Sequence, residues 1–353
     1  MRKTILSLVG LVLMATSCAR AQAPMGKIGI ESTRTQDGSG SKVYFTKDIS
    51  AEGLVKIYKA LGRKAKGRVA VKISTGEDGG NNYLKPELIK GLVDAVRGTI
   101  VECNTAYGGS RATTERHRQT IHKHGFDAIA KVDIMDEEGD EEIPTLDKKH
   151  LKYDIVGSHL KNYDFMVNLA HFKGHAMGGF GGVLKNQSIG VASSRGKVYI
   201  HSAGASTTSW GSPAQDDFLE SMAAAAQAVA LRFGDSIIYI NVMNNLSVDC
   251  DCDSHPAAPQ MKDIGILAST DPVALDKACL DLVFNHESTT EDNAEPLQRR
   301  INRQHGTYIV DYAEQIGLGS KHYQLIDIDS VKRIGKNKKT TKRGNTGTKN
   351  TLK

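Results

Sequence analysis

Between Asn168 and Gly190 the chain reads NLAHFKGHAMGGFGGVLKNQSIG, which sets His171, Lys173, His175 and Lys185 on a frame of six glycines. Imidazoles exchange protons near neutral pH. A lysine in such a loop suits clamping an anion or acting as a covalent tether. Glycines such as Gly179, Gly181 and Gly182 let the backbone approach a ligand closely, and successive N–H groups of such a turn can hold an anion. Known phosphate loops do not match. Leu184, not glycine, precedes Lys185, and Leu184 also stands where the last glycine of a dinucleotide fingerprint counted from Gly179 would fall. The competing reading is a glycine-rich surface loop with a solvated lysine.

Two further groupings bear on the chemistry. His201 closes the run Lys197–His201, and Ser110 with Arg111 closes the polar run Glu102–Arg111, so both can join the central loop at one edge of a sheet. The segment Asp249–His255, DCDCDSH, gathers thiols, carboxylates and an imidazole, which are soft and borderline metal ligands. In an extended segment Cys250 and Cys252 present their sulfurs on one side, with His255 nearby as a third ligand. Pairing of these two cysteines with each other is disfavoured by geometry. A disulfide to Cys103 or Cys279, buried free thiols, or a plain Asp-rich turn compete with the metal reading.

The elements that must position these residues alternate. Strands are expected at Val69–Ile73, Thr99–Glu102, Val132–Met135, Asp164–Ala170, Lys197–His201, Ser236–Val242, Ile264–Ala268 and Gln324–Ile328, with an edge strand at Tyr153–Val156. Helices are expected at Ala51–Leu61 after a Ser50 cap, at Pro86–Val96, at Thr113–His124 before Gly125, at Asp216–Phe233, after the cap Asp271 with Pro272 at its first position, and at Tyr308–Ile316. The acidic run Glu137–Glu142 reads as a solvated loop. The pattern is α/β: a mostly parallel sheet flanked by helices, in one lobe or two.

The termini differ in character from the body. Arg2 and Lys3 precede the apolar run Ile5–Met14, which is the pattern of a secretion signal. The box Ala15–Cys18 predicts lipidation of Cys18, with Ala19–Ala21 as the alternative cleavage site. The apolar run is well short of the ~20 residues of a membrane span. The expected location is therefore outside the cytoplasm, in the periplasm or as an outer-membrane lipoprotein, touching membrane only through the lipid. Residues 1–21 form the leader, 22–50 a polar linker, 51–329 the α/β domain and 330–353 a basic tail of disordered composition. The tail holds nine positive residues and the leader three. Removing those twelve from the formal +6 leaves the body at −6, with no basic face for nucleic acid.

The runs Glu102–Arg111, His171–Asn186 and Asp263–Asp276 resemble, in order, the Domain of Unknown Function 362 family, over roughly Val69–Val283. Many members of that family carry a ferredoxin-type cysteine module, so the resemblance implies an iron–sulfur association. This chain has no Cys-x-x-Cys run. A fainter resemblance is to lactate racemase and its nickel-pincer relatives. It implies Lys185 as tether of a pincer nucleotide, His201 as nickel ligand and His175 as proton carrier. Gly109-Ser110-Arg111 stands where that family has Thr-His-Arg.

Taken together, the residues predict a site for a metal or an unidentified cofactor, serving redox or small-molecule chemistry. His175, Lys185 and His201 are its catalytic candidates. Arg111, Lys173, Gly179, Gly181, Gly182 and Asn186 are its ligand-binding candidates, and Cys250, Cys252 and His255 its metal ligands. Two alternatives stand beside it. One is an enzyme abstracting a proton α to a carboxylate, with Lys185 and Arg111 on the anion. The other is a non-catalytic lipoprotein capturing a small anion.

Overall fold

The computed structural model describes residues 40–330. Cys18, the leader and all but the first residue of the basic tail lie outside them. In chain order the elements are β1 (Ser41–Thr46), α1 (Ala51–Ala60), β2 (Val69–Lys72), α2 (Pro86–Val96), β3 (Thr99–Glu102), α3 (Thr114–His124), β4 (Val132–Ile134), β5 (Asp140–Pro144) and β6 (Tyr153–Gly157). After a 3₁₀ turn at Ser158–Asn162 come β7 (Phe165–His171), β8 (Lys173–His175), β9 (Gly179–Gly181), α4 (Val183–Ser188), α5 (Ser194–His201), α6 (Gln215–Phe233) and β10 (Ile237–Met243). The chain continues with β11 (Gly265–Ser269), α7 (Pro272–Phe284), α8 (Glu295–Arg303), α9 (Tyr308–Gln315) and β12 (Tyr323–Asp327).

Eight strands form one sheet in the order β12-β1-β11-β10-β7-β2-β3-β4. From β10 through β4 every neighbouring pair is parallel, and only β11 runs against its neighbours. The chain is thus α/β around one main sheet. Strand β7 is buried along its whole length, as a central parallel strand covered on both faces must be. On one face Val71, Val167, Leu169 and Ile240 pack with Leu54, Ile57, Ile89 and Leu92 from α1 and α2. On the other, Ala70, Met166 and Tyr239 meet Met222 and the alanines of α6, whose small side chains let that helix lie close to its neighbours.

Local chemistry explains most boundaries. Ser50 accepts a hydrogen bond from Gly53 N at the start of α1. Thr113 does the same for Arg116 N at α3, and Gly125 ends that helix in the left-handed conformation at φ 83°. Asp271 accepts from Val273 N and Ala274 N at the start of α7, with Pro272 at its first position.

Three expectations are corrected. Lys197–His201 is not a strand: it is the end of α5, capped by Ser193, which accepts from Gly196 N. Its alternating Val and Ile are used instead to pack a short helix on α6 and β6. Within the acidic run, Asp140–Glu142 opens β5, which pairs antiparallel with β6; Asp140 there accepts from Arg195 and Ser193, while Glu142 is exposed. Ser41–Thr46, inside the stretch read as a linker, is β1, buried between β11 and β12. Of the arrangements left open, one lobe or two, the described residues form one main sheet with two small two-stranded sheets beside it.

Candidate functional site

The site is assembled where the parallel strands end. Lys72 closes β2, Glu102 closes β3 and His171 closes β7. Lys72 lies level with Asn168 across the β2–β7 ladder. Over this edge sits a cavity of about 180 Å³, lined by Lys72, Arg111, Lys173, Lys185, Lys197, His175 and His201 among others. That volume is about six water molecules at ~30 Å³ each. Five cations and two imidazoles face it, against the carboxylates of Glu102 and Asp251.

Helix α4 carries Lys185, and the sheet grips this helix through polar side chains. Asn168 Nδ2 donates to Val183 O at 2.9 Å. Asn241 Nδ2 donates to Asp276 Oδ1 at 2.7 Å. Asp276, from α7, accepts from Val183 N and Leu184 N, both at 3.0 Å. A helix N-terminus that would attract an outside anion is therefore filled by the protein's own carboxylate. Burial pushes that carboxyl up to about 6, against the hydrogen bonds from Asn241, Leu184 and Val183. Gly182 is required here: a Cβ would come within 2.3 Å of the Asp276 carboxylate.

Lys185 is the group left without a partner. Among the described residues its amine makes no hydrogen bond and no ion pair, and it opens on the cavity. Burial, then the charges of Lys173, Lys72 and Arg111, bring its pKa down to about 7. The neighbouring cations are anchored. Lys173 Nζ donates to Asp251 Oδ2 at 2.7 Å. Lys72 Nζ donates to Asn186 Oδ1 at 3.2 Å, and burial brings its pKa down to about 8 although Glu102 opposes this. Lys197 Nζ donates to Ala192 O at 2.6 Å.

The two cavity histidines have opposite polarity. His175 Nδ1 accepts from Gly178 N at 2.9 Å and Met177 N at 3.3 Å, so in the neutral ring the proton sits on Nε2. His201 Nδ1 faces Lys197 O at 2.7 Å and must donate to it, which leaves Nε2 with a free lone pair. Both rings are held neutral. Burial, then Lys185, His201 and Lys173, keep His175 well below the usual imidazole range. Burial brings His201 down to about 4 against the hydrogen bond to Lys197 O, and Lys185 and Lys197 lower it further. Phe218 stacks on the His201 ring and Trp210 meets it edge-on, which fixes its plane.

Several candidates have other duties. Arg111 is buried between two carboxylates, with Nε on Glu77 Oε1 at 3.1 Å and Nη1 on Glu102 Oε1 at 2.6 Å. It borders the cavity but is committed to these partners, with Ser110 also bonded to Glu77. His117 joins the same network through Glu102 and Asn104. His171 faces Asp251 Oδ1 and Asn244 O, so both its nitrogens are engaged. Asn186 Nδ2 donates to Asn168 Oδ1 and Lys72 O, holding the sheet edge and Lys72 together. Gly179 serves close packing: its φ is 79° and a Cβ there would lie 2.8 Å from Gly306 Cα. Gly181 lies beside the Lys173 and Lys185 stems. The amides of Met177 and Gly178 are spent on His175, and those of Val183 and Leu184 on Asp276.

The expected metal trio is redrawn. Cys250 and Cys252 form a disulfide, with Cα atoms 5.2 Å apart. The segment is turned, not extended: Asp253 N donates to Cys250 O, and this brings the cysteines within bonding reach. His255 is exposed, with Nδ1 against Ser254 Oγ. The histidine beside the sulfurs is His175, whose ring nitrogen and the two sulfurs lie within 4.8 Å of one another. Sulfurs bonded to each other are poor donors, and His175 Nε2 carries a proton, so in this oxidised state the trio does not suit a cation. Cys103 and Cys279 are free and buried, and burial pushes both thiols up.

The motifs Glu102–Arg111, His171–Asn186 and Asp263–Asp276 thus meet around one cavity and its supports. Fold and site define an α/β protein with a cation-lined hollow at the carboxyl edge of its sheet. The chain belongs to the family described as "domain of unknown function (DUF362)", whose model matches residues 69–281. Among solved structures it is similar to the lactate racemase apoprotein from Thermoanaerobacterium thermosaccharolyticum, at 18% identity and a TM-score of 0.42, over 69% of this chain and 57% of that one. It is also similar to a protein from Thermotoga maritima, at 13% identity and a TM-score of 0.37, over 75% of this chain and 58% of that one. The chain therefore spans less than two thirds of either protein. No curated protein matches it.

Proposed function

We propose that the protein binds a small organic anion, of the hydroxycarboxylate type, in the lysine-lined cavity. The carrying observation is the unpartnered amine of Lys185 among anchored cations. An amine held without a counter-charge gains most when a ligand supplies one. The His175 N–H and the His201 lone pair offer a donor and an acceptor, which is the complement of a hydroxyl group. The cavity volume suits a molecule of a few heavy atoms.

Titration calorimetry with tartronate, malate and acetate tests this reading. Binding of the hydroxy acids that weakens about tenfold or more in Lys185→Met supports it, on the scale of one charge-assisted hydrogen bond. No binding by the wild type refutes it.

A second reading is proton abstraction α to the carboxylate, favoured by the open Nε2 of His201. In deuterated water the α-proton signal of bound malate would then decay with wild type and persist with His201→Asn. Persistence with both leaves a capture protein. We also propose that the chain works outside the cytoplasm. The Cys250–Cys252 bond, of a kind that persists in oxidising compartments, and the leader-like N-terminus support this. Fractionation of cells producing the full chain tests it.

A further inference from the structure

The Cys250–Cys252 disulfide stands in the wall between two hollows. Cys252 borders the lysine-lined cavity and also a second, open cavity of about 420 Å³ that is lined by Glu77, Tyr107, Asp249 and Cys250 among others. The two sulfurs differ in access. Cys250 is 4% exposed, whereas Cys252 is half-buried and reachable from both sides. Their surroundings differ as well: Lys173 and Lys185 face the lysine-lined cavity, whereas Glu77, Asp249 and Asp253 line the second hollow. A bridge that serves only to staple a fold joins distant parts of the chain, because its effect grows with the loop it closes. This bridge closes a loop of one residue, Asp251, and so contributes little of that kind. Of the other two described cysteines, Cys103 borders the lysine-lined cavity but is 1% exposed, with its thiol donating to Val191 O, and Cys279 is buried and lines neither hollow.

We propose that Cys250–Cys252 is a redox-active disulfide that exchanges with small thiols, with Cys252 as the attacked sulfur. An incoming thiolate bonds to Cys252 Sγ, the Cys250–Cys252 bond breaks, and Cys250 Sγ leaves as a thiolate. It takes up the proton that the incoming thiol released. A second thiolate attacks the external sulfur of the mixed disulfide and Cys252 leaves in turn. In sum, two external thiols are oxidised to their disulfide and the protein pair is reduced to two thiols. Lys185 and Lys173, across the lysine-lined cavity, favour the thiolate form of Cys252. The pair also sits at the anion site: the residue between the cysteines is Asp251, whose carboxylate anchors Lys173 and faces His171. Reduction frees the turn that presents Asp251, so the two hollows share one redox-dependent wall. This inference does not depend on which anion the cavity binds.

The test is intact-mass analysis of the full chain, folded, after alkylation with N-ethylmaleimide across a dithiothreitol series. The expected result is no alkylation of the 250–252 pair before treatment and a gain of two adducts on it at low millimolar reductant, with Cys103 and Cys279 labelled only after unfolding. With dithiobis(nitrobenzoate), a Cys250→Ser variant should form a stable mixed disulfide at Cys252, releasing one thionitrobenzoate, at least about tenfold faster than Cys252→Ser does so at Cys250, since exchange follows access and thiolate character. A pair that stays oxidised in excess reductant while the protein is folded overturns the proposal. So does a pair found as two thiols in protein matured outside the cytoplasm, or faster trapping at Cys250. The wild-type series decides the matter even where a variant fails to fold.

Discussion

Replacing Lys185 by methionine should strengthen the fold and weaken the site. The lysine's pKa falls from its usual 10.5 to about 7 in the folded chain. At ~1.4 kcal/mol per unit, a displacement of about three and a half units corresponds to about 5 kcal/mol of cost for holding the charged amine there. The side chain opens on the cavity and not on sealed core, so water there screens part of that cost and about 2 kcal/mol is the expected share. The sign follows from proton counting. Between pH 7 and 10.5 the unfolded lysine keeps its proton while the folded one has released it, so wild-type stability rises with pH across that window. The handicap is full below pH 7 and gone above 10.5. Lys185→Met should therefore exceed the wild type by about 2 kcal/mol at pH 6 and by less than half of that at pH 9. Urea unfolding followed by circular dichroism at both pH values measures the difference, and calorimetry on the same samples measures anion affinity. A variant less stable than wild type at pH 6, or an advantage that does not change with pH, would refute the reasoning that this amine is held uncompensated.

Three further outcomes follow from the supports of the site. Asp276→Ala leaves Val183 N and Leu184 N without their acceptor and should cost about 2–4 kcal/mol in urea unfolding, one desolvated donor at a time. Asp276→Asn, which keeps one acceptor oxygen, should cost less. Glu102→Gln breaks the buried pair with Arg111 and the bond to His117, and a loss of about 3–5 kcal/mol is expected by the same unfolding assay. For Asp251, burial alone would raise the carboxyl, but Lys173 and then His171 hold it below the usual carboxylate range. That stabilisation is present at neutral pH and is lost on acidification below the unfolded value of 3.8, so Asp251→Asn should flatten the acid limb of a melting-temperature profile.

The sheet was largely legible because its signals are local. The apolar run of β7, the proline at the start of α2 and the caps Thr113 and Asp271 each act within a few residues, and each marks its element. Lys197–His201 was not legible. Its valine and isoleucine suit either state, and its helix depends on the Ser193 cap and on packing against α6. The gathering of His175, Lys185 and His201 could be suspected from strand ends, but their tautomers could not, since those rest on Gly178 N and Lys197 O. Lys72, Glu102, Lys197, Asp251 and Asp276 escaped because their meaning is in contacts between distant segments. One of them did carry a signal: Lys72 interrupts the apolar strand Val69–Ile73, and a lysine buried there has to face something polar.

Asp276 occupies the amino end of α4 permanently. On the proposed function, a visiting acid is thereby denied the rigid backbone donors that usually dictate shape and is met by the unanchored ammonium head of Lys185 instead. That head can be re-aimed over an ångström or more without moving the chain. Discrimination between visitors then falls to the fixed rings of His175 and His201, and a change at either ring should retune which molecules are accepted sooner than any change among the lysines.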